Sequence, residues 1–323
     1  MIRIVRTTLR ARGLILAVCS AVLLLDSIAV EAAGRIAVRG RHGMVASSSV
    51  LASEIGVDAL RKGGNAVDAA VATAFAEAVT WPSAGNVGGG GFLVWHGIDG
   101  KTTAFDFREK APMAATETMY LDEQAQVRDN SNHEGILAVG VPGTVAGLEL
   151  AHERLGRLEW SKLVAPAERL AREGIPITWA LYEDFKERKE YWLRYPSSAA
   201  TFLKDDGSFW QPGDRWVQRD LAETLERIRR KGRDGFYRGK TAELIADFME
   251  ANGGLITRED LEQYEAVERE PVRGTYRGYE IVGMPPPSSG GMVLIEMLNI
   301  LEGYDLAELG HNSALYLHLL TEA

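Results

Sequence analysis

The chain has 323 residues, 46% hydrophobic and 25% charged, with a formal net charge of −9, enough apolar material for one large or two modest domains. Residues 1–32 hold four arginines and the two acids Asp26 and Glu31, so the remainder stands at −11, and an acidic chain without a basic stripe argues against nucleic acid as a partner. Cys19 is the only cysteine, which excludes an internal disulfide.

The first predicted segment is an export signal over 1–32. Arg3, Arg6, Arg10 and Arg12 form a basic head, 13–25 a short apolar run, and Val30-Glu31-Ala32-Ala33 offers small-residue cleavage sites. This places 33–323 in the periplasm or outside the cell, without a thiol. The apolar run falls short of the about 20 residues of a membrane span; an uncleaved anchor is the alternative. The arginines are never adjacent, which gives no support to a twin-arginine route, and Val18 before Cys19 does not fit lipoprotein cleavage.

Two small-residue helices follow. One covers 49–61 and is closed by Gly63-Gly64; the next starts at Asn65 as N-cap and runs through Val79 with seven alanines. Glycines 88–91 precede a strand at Phe92-Leu93-Val94-Trp95-His96. Asp99-Gly100 marks a hairpin turn, and 101–108 alternates as the second strand. Period two puts Thr103, Phe105 and Phe107 on one face and Ala104, Asp106 and Arg108 on the other. With the phenylalanines inward, Arg108 projects outward beside a glycine loop that another backbone or a small ligand can approach. A guanidinium there can grip a carboxylate through two parallel hydrogen bonds, or it can pair with Asp106 or Glu109 on a solvated hairpin. Local pattern does not decide between them.

Further along, 136–141 reads as a buried strand turning at Pro142-Gly143 into a helix over 144–155. A charged, helical stretch follows with helices over 161–173 (Pro166 a place for a kink or restart), 179–194 and 221–231. Its tryptophans Trp179, Trp192, Trp210 and Trp216 suit a core better than a sugar platform. Helices over 241–252 and 258–264 come next, the latter with Thr257 as N-cap, then strands over 271–282 through the Arg277-Gly278 turn. Pro285-Pro286-Pro287-Ser288-Ser289-Gly290-Gly291 is a rigid loop feeding a helix over 291–301. Ser288 and Ser289 lack a G-x-S-x-G elbow and read as loop and N-cap residues. The six histidines never fall at metal-ligand spacing, and Gly63-Gly64-Asn65 is not a phosphate loop because no Gly-Lys-Ser/Thr follows.

Asn65-Ala66-Val67-Asp68-Ala69-Ala70, Gly88-Gly89-Gly90-Gly91-Phe92, Asp106-Phe107-Arg108-Glu109-Lys110-Ala111-Pro112, Val139-Gly140-Val141-Pro142-Gly143-Thr144, Gly253-Gly254-Leu255-Ile256-Thr257, Tyr276-Arg277-Gly278-Tyr279, Pro285–Gly291 and Leu298-Asn299-Ile300-Leu301-Glu302 stand in the order in which they occur in the gamma-glutamyltranspeptidase (glutathione hydrolase) family, which the chain resembles from about residue 43 to its last residue. The resemblance implies an α+β fold, the αββα sandwich of N-terminal-nucleophile hydrolases, here incomplete and with a helical lobe. It implies a proenzyme that cleaves itself into a large and a small subunit, and chemistry on glutathione and other γ-glutamyl compounds, with water, an amino acid or a peptide as acceptor and no metal or organic cofactor. Residues 33–323 then correspond to the large-subunit portion. Arg108 corresponds to the arginine that holds the substrate α-carboxylate, and Ser288 and Ser289 lie near the active centre; Asp106, on the same strand face as Arg108, is expected to orient its guanidinium. The nucleophilic threonine of the family falls beyond position 323, so no catalytic residue is expected in this chain, which by itself reads as truncated and inactive; Thr257 and Thr321 are not substitutes. Two alternatives stand beside this reading: a cephalosporin- or glutaryl-acylase of the same fold, and a non-catalytic remnant.

Overall fold

The computed structural model describes residues 37–323, and the export signal read at 1–32 lies outside them. The chain divides into Met1–Met44 and Val45–Ala323; residues 37–44 carry no helix or strand, and the architecture below belongs to the second unit.

Helix α1 spans Val50–Arg61 behind Ser49, whose Oγ accepts the Ala52 N–H. Helix α2 spans Ala66–Thr80 behind a closed capping box: Asn65 Oδ1 accepts the N–H groups of Val67 and Asp68, and the Asp68 carboxylate takes the Asn65 N–H. Small side chains let the two helices touch, a Cβ on Gly56 standing 2.2 Å from Thr73 Oγ1. Asp68 is fully buried and also accepts the N–H groups of Arg157 and Leu158, which ties a distant loop to the start of α2.

Strands β1 (Phe92–His96) and β2 (Thr102–Asp106) pair antiparallel, Phe92 opposite Asp106 and His96 opposite Thr102, through a turn at Gly100 with φ 80°. Phe105 and Phe107 are buried as their alternation demands, but so are Ala104 and Asp106 on the other face. The strand expected over 136–141 does not form. Gly135 has φ 88° and starts a turn closed by the Ala138 N–H, and only Val141 pairs, in a single bridge with Lys110.

Helix α3 (Thr144–Leu155) packs across β2, and α4 (Trp160–Glu173) runs unbroken through Pro166 to pack on α2. β3 (Ile175–Pro176) leads to α5 (Trp179–Glu187) and α6 (Lys189–Leu193), two helices divided at Arg188 where one was expected. α7 (Pro196–Phe202) and β4 (Arg215–Trp216), the partner of β3, close this part. Trp192 and Trp216 are buried with Phe185, and Trp192 stacks at 4.5 Å on the half-buried Phe202. Trp179 departs from the core reading: it begins α5 on the outside, largely exposed.

Helix α8 (Arg219–Lys231) lies along α4, burying Ala222, Leu225 and Ile228, so the helical stretch shares one core with α2 and β2. α9 (Asp234–Tyr237) and α10 (Gly239–Ala251) precede α11 (Arg258–Glu262), which Thr257 caps as expected, in a capping box with Asp260. β5 (Val267–Arg269) adds to β2 and gives a three-stranded sheet of order β1-β2-β5. β6 (Val272–Tyr276) and β7 (Tyr279–Gly283) form a hairpin whose turn residues Arg277 and Gly278 both have positive φ, 50° and 82°. α12 (Gly290–Leu301) packs on that hairpin, and α13 (Ala314–Glu322) follows.

Candidate active site

Asp106–Lys110 runs between two anchored points. The β1–β2 ladder continues one pair beyond the strands, Phe107 N–H donating to Gly91 C=O at 3.1 Å and Gly91 N–H to Phe107 C=O at 3.3 Å. The Phe107 ring then fills a slot made by two glycines: a Cβ on Gly147 of α3 would stand 2.0 Å from its Cγ, and one on Gly91 would stand 2.8 Å from its Cε2. Three residues later Lys110 and Val141 exchange both backbone hydrogen bonds, at 3.2 and 2.7 Å. With Phe107 held inward and the chain fixed on either side, Arg108 must face out, and it is exposed.

Close approach explains part of the glycine run: Gly90 lies against the Phe107 and Glu109 main chain and Gly91 against the Phe107 ring, whereas Gly88 has nothing within 4 Å. Gly89 C=O accepts the N–H groups of Gly143 and Thr144 and so caps α3, whose N-cap Gly143 has no side chain to do it. Asn86 Oδ1 accepts Gly89 N–H at 2.9 Å and Thr144 Oγ1–H at 2.5 Å. A Cβ on Gly90 would stand 2.6 Å from Phe107 O, and one on Gly143 would stand 2.0 Å from that oxygen and 2.1 Å from the Tyr264 hydroxyl. Three strands of backbone therefore meet at Phe107.

Every polar group of the Arg108 residue has a partner or a free direction. Its N–H donates to Asp106 Oδ1 at 3.1 Å, its C=O accepts from Tyr264 Oη at 2.8 Å, and its Nη1 donates to Pro287 C=O in a long bond of 3.4 Å. Asp106 does not touch the guanidinium, because its Oδ2 is taken by Arg269 Nε at 2.8 Å. Its support of Arg108 runs through the main chain. Neither Asp106 nor Glu109 pairs with Arg108, and among the described residues the guanidinium meets no carboxylate within 4 Å. Among the described residues, one of its five donors is engaged.

The loop 285–289 contributes the Pro287 carbonyl. Ser288 Oγ accepts the Gly290 N–H at 3.2 Å, and Ser289 is the N-cap residue of α12 with no side-chain bond to the helix. Both serines therefore sit on the segment that reaches Arg108, and among the described residues neither is hydrogen-bonded to a base. Burial, and next the negative charges of Asp106 and Glu109, hold the Tyr264 phenol above its ordinary range, so its hydroxyl is a fixed donor. Tyr264 and Arg269 escaped the sequence reading. The signal for β5 is three residues long and ends at Glu270-Pro271, too short to show a period. Among the described residues no group of three or more His, Cys, Asp or Glu is placed to hold a metal ion, and no helix is long and apolar enough to cross a membrane.

Residues 52–323 match the family model described as Gamma-glutamyltranspeptidase. A glutathione hydrolase proenzyme of Pseudomonas sp. (strain A14) is 46% identical over 301 residues, 91% of this chain and 51% of that protein. An acylase ACY 1 proenzyme of Pseudomonas sp. (strain SE83) is 42% identical over 290 residues, 88% of this chain and 52% of the relative. The crystal structure of Helicobacter pylori gamma-glutamyltranspeptidase superposes with a TM-score of 0.87 at 48% identity, covering 89% of this chain and 82% of that one. The chain spans about half the length of the curated relatives it matches.

Proposed function

The chain belongs to the gamma-glutamyltranspeptidase family, and on that premise we propose that the whole protein cleaves the γ-glutamyl amide of glutathione and related compounds and passes the γ-glutamyl group to water or to an amino acid or peptide. The observation that carries the reading is the Arg108 guanidinium, exposed and without a carboxylate, on a main chain held at both its N–H and its C=O. An exposed guanidinium that meets no carboxylate, on a fixed main chain, is a site for a planar anion, and the α-carboxylate of a γ-glutamyl donor supplies one. The chemistry proceeds through an N-terminal threonine of a small subunit cut from the same precursor. Its hydroxyl adds to the γ-carbonyl, its own freed α-amine takes the proton and returns it to the departing amine nitrogen, and the acyl-enzyme is then resolved by water or an acceptor amine.

The small subunit also supplies a cover for α12, where Met292, Val293, Leu294 and Ile300 are about half exposed on one apolar helix. The export signal read at 1–32 supports a periplasmic or secreted location. An acylase reading is favoured by one observation, the 42% identical acylase relative. Glutaryl p-nitroanilide keeps the α-carboxylate and lacks the α-amine. Faster turnover of the γ-glutamyl than of the glutaryl anilide by the complete protein supports the proposal, and the reverse order supports an acylase.

A further inference from the structure

We propose that Tyr264 is a positioning residue for Arg108, an inference that rests on the anchor role given to Arg108 above. One short segment, from Tyr264 to Arg269, holds both polar groups of the Arg108 main chain. Tyr264 Oη donates to the Arg108 carbonyl at 2.8 Å; Arg269 Nε holds Asp106 Oδ2 at 2.8 Å, and Asp106 Oδ1 accepts the Arg108 N–H at 3.1 Å. Tyr264 is itself fixed from all sides. Its ring is buried and stacked on Tyr237 with centroids 5.7 Å apart and planes within 9°, and the Lys110 ammonium lies 5.0 Å from the ring centroid. Lys110 Nζ donates to Glu265 C=O at 2.8 Å, and Arg233 Nη2 donates to Tyr264 C=O at 2.6 Å. Gly143 leaves the room in which the hydroxyl sits.

This is more apparatus than a hairpin end needs to be stable. β2 already ends in a ladder pair at Phe107 and the chain is pinned again at Lys110; of the two residues between, Arg108 and Glu109, the Tyr264 contact and the Arg269–Asp106 arm act on Arg108. A guanidinium binds a carboxylate bidentately only when its plane and distance are set within fractions of an ångström, and a side chain of four rotatable bonds keeps that placement only if its Cα is fixed. Tyr264 sets the Cα through the carbonyl, and Arg269 through Asp106.

The test uses the complete protein with L-γ-glutamyl p-nitroanilide and 4-aminobutanoyl p-nitroanilide, which lacks the α-carboxylate. Tyr264→Phe removes one oxygen and keeps the stack. The expected result is a KM for the γ-glutamyl compound raised about three- to tenfold with kcat within about twofold, unchanged kcat/KM for the 4-aminobutanoyl compound, and no further rise when Tyr264→Phe is added to Arg108→Ala. Arg269→Gln, which cuts the other arm, is expected to shift the same parameter in the same direction and stands in if Tyr264→Phe does not fold. Equal losses on both compounds, or additive losses on the Arg108→Ala background, overturn the positioning role and make Tyr264 a packing residue. If Arg108→Ala discriminates between the compounds while Tyr264→Phe and Arg269→Gln do not, the inference falls and the anchor stands; if Arg108→Ala does not discriminate, both fall.

Discussion

Helices α2 and α12 are alike in sequence and opposite in setting. α2 has two acids among fifteen residues and buries eleven of them; α12 has one acid among twelve and buries only Gly291 and Leu301. The difference lies in their neighbours. α2 is enclosed by α1, α3 and α4, whereas α12 packs by one side only on the β6–β7 hairpin, Gly291 against Gly283 and Ile295 against Gly274. Burial is thus conferred by what surrounds a helix, and apolar composition alone announces only that a surface is meant to be covered. Arg108 stands at the seam between the two settings, its backbone held by the enclosed part and its guanidinium touching Pro287 on the loop that enters α12.

The contrast breaks most readily where backbone meets backbone. Gly143→Ala would push a Cβ against Phe107 O and the Tyr264 hydroxyl, and an expected loss of about 3 kcal/mol follows from overpacking at a site that cannot relax. Chemical denaturation checks it; a loss below about 1 kcal/mol would show that the three backbones are less tightly joined than their distances say. Asp68→Ala is next, at about 2–3 kcal/mol, because the N–H groups of Asn65, Arg157 and Leu158 lose their buried acceptor.

Thr257→Ala is expected to cost about 1 kcal/mol through the lost cap of α11. Its partner adds a pH signature. Burial raises the Asp260 pKa, but hydrogen bonds from Thr257 and the Met113 N–H outweigh it and the carboxyl titrates below its ordinary range. A folded pKa below the unfolded one stabilises the fold above about pH 4 and stops doing so as pH falls through the folded value. Asp260→Asn should therefore flatten the acid limb of a stability–pH curve, and an unchanged limb would contradict it. The smallest effect is expected on α12: Leu294→Asn in the 323-residue chain should change stability by no more than about 0.5 kcal/mol. A loss of 2 kcal/mol would mean that this face is already covered, and would erase the contrast with α2.

Much of this was legible in the sequence where a local rule acts by itself. Asn65 and Thr257 as caps, Asp99-Gly100 and Arg277-Gly278 as turns, and the outward direction of Arg108 all follow from short-range chemistry, whereas Ser49, expected inside the first helix, is its N-cap. The course of 136–141, expected as a strand, was not legible, because Gly135 just before its apolar run serves a turn and Gly140 within it a close passage beside Glu109. Nor was the role of Asp106: alternation puts it on the face of Arg108, but its partner, Arg269, is 163 residues away. The clamp from Tyr264 depends on the same kind of remote pairing, 156 residues apart.

The most direct test of the account is the effect of Arg108→Ala in the complete protein on two anilides that differ at one group. A charge-assisted pair of hydrogen bonds to a desolvated carboxylate is worth on the order of 2–4 kcal/mol. The account therefore predicts that kcat/KM for L-γ-glutamyl p-nitroanilide falls by about 30- to 1000-fold, that Arg108→Lys recovers only part of it, and that 4-aminobutanoyl p-nitroanilide is turned over as before. Equal falls for the two compounds, or no fall for either, would contradict it.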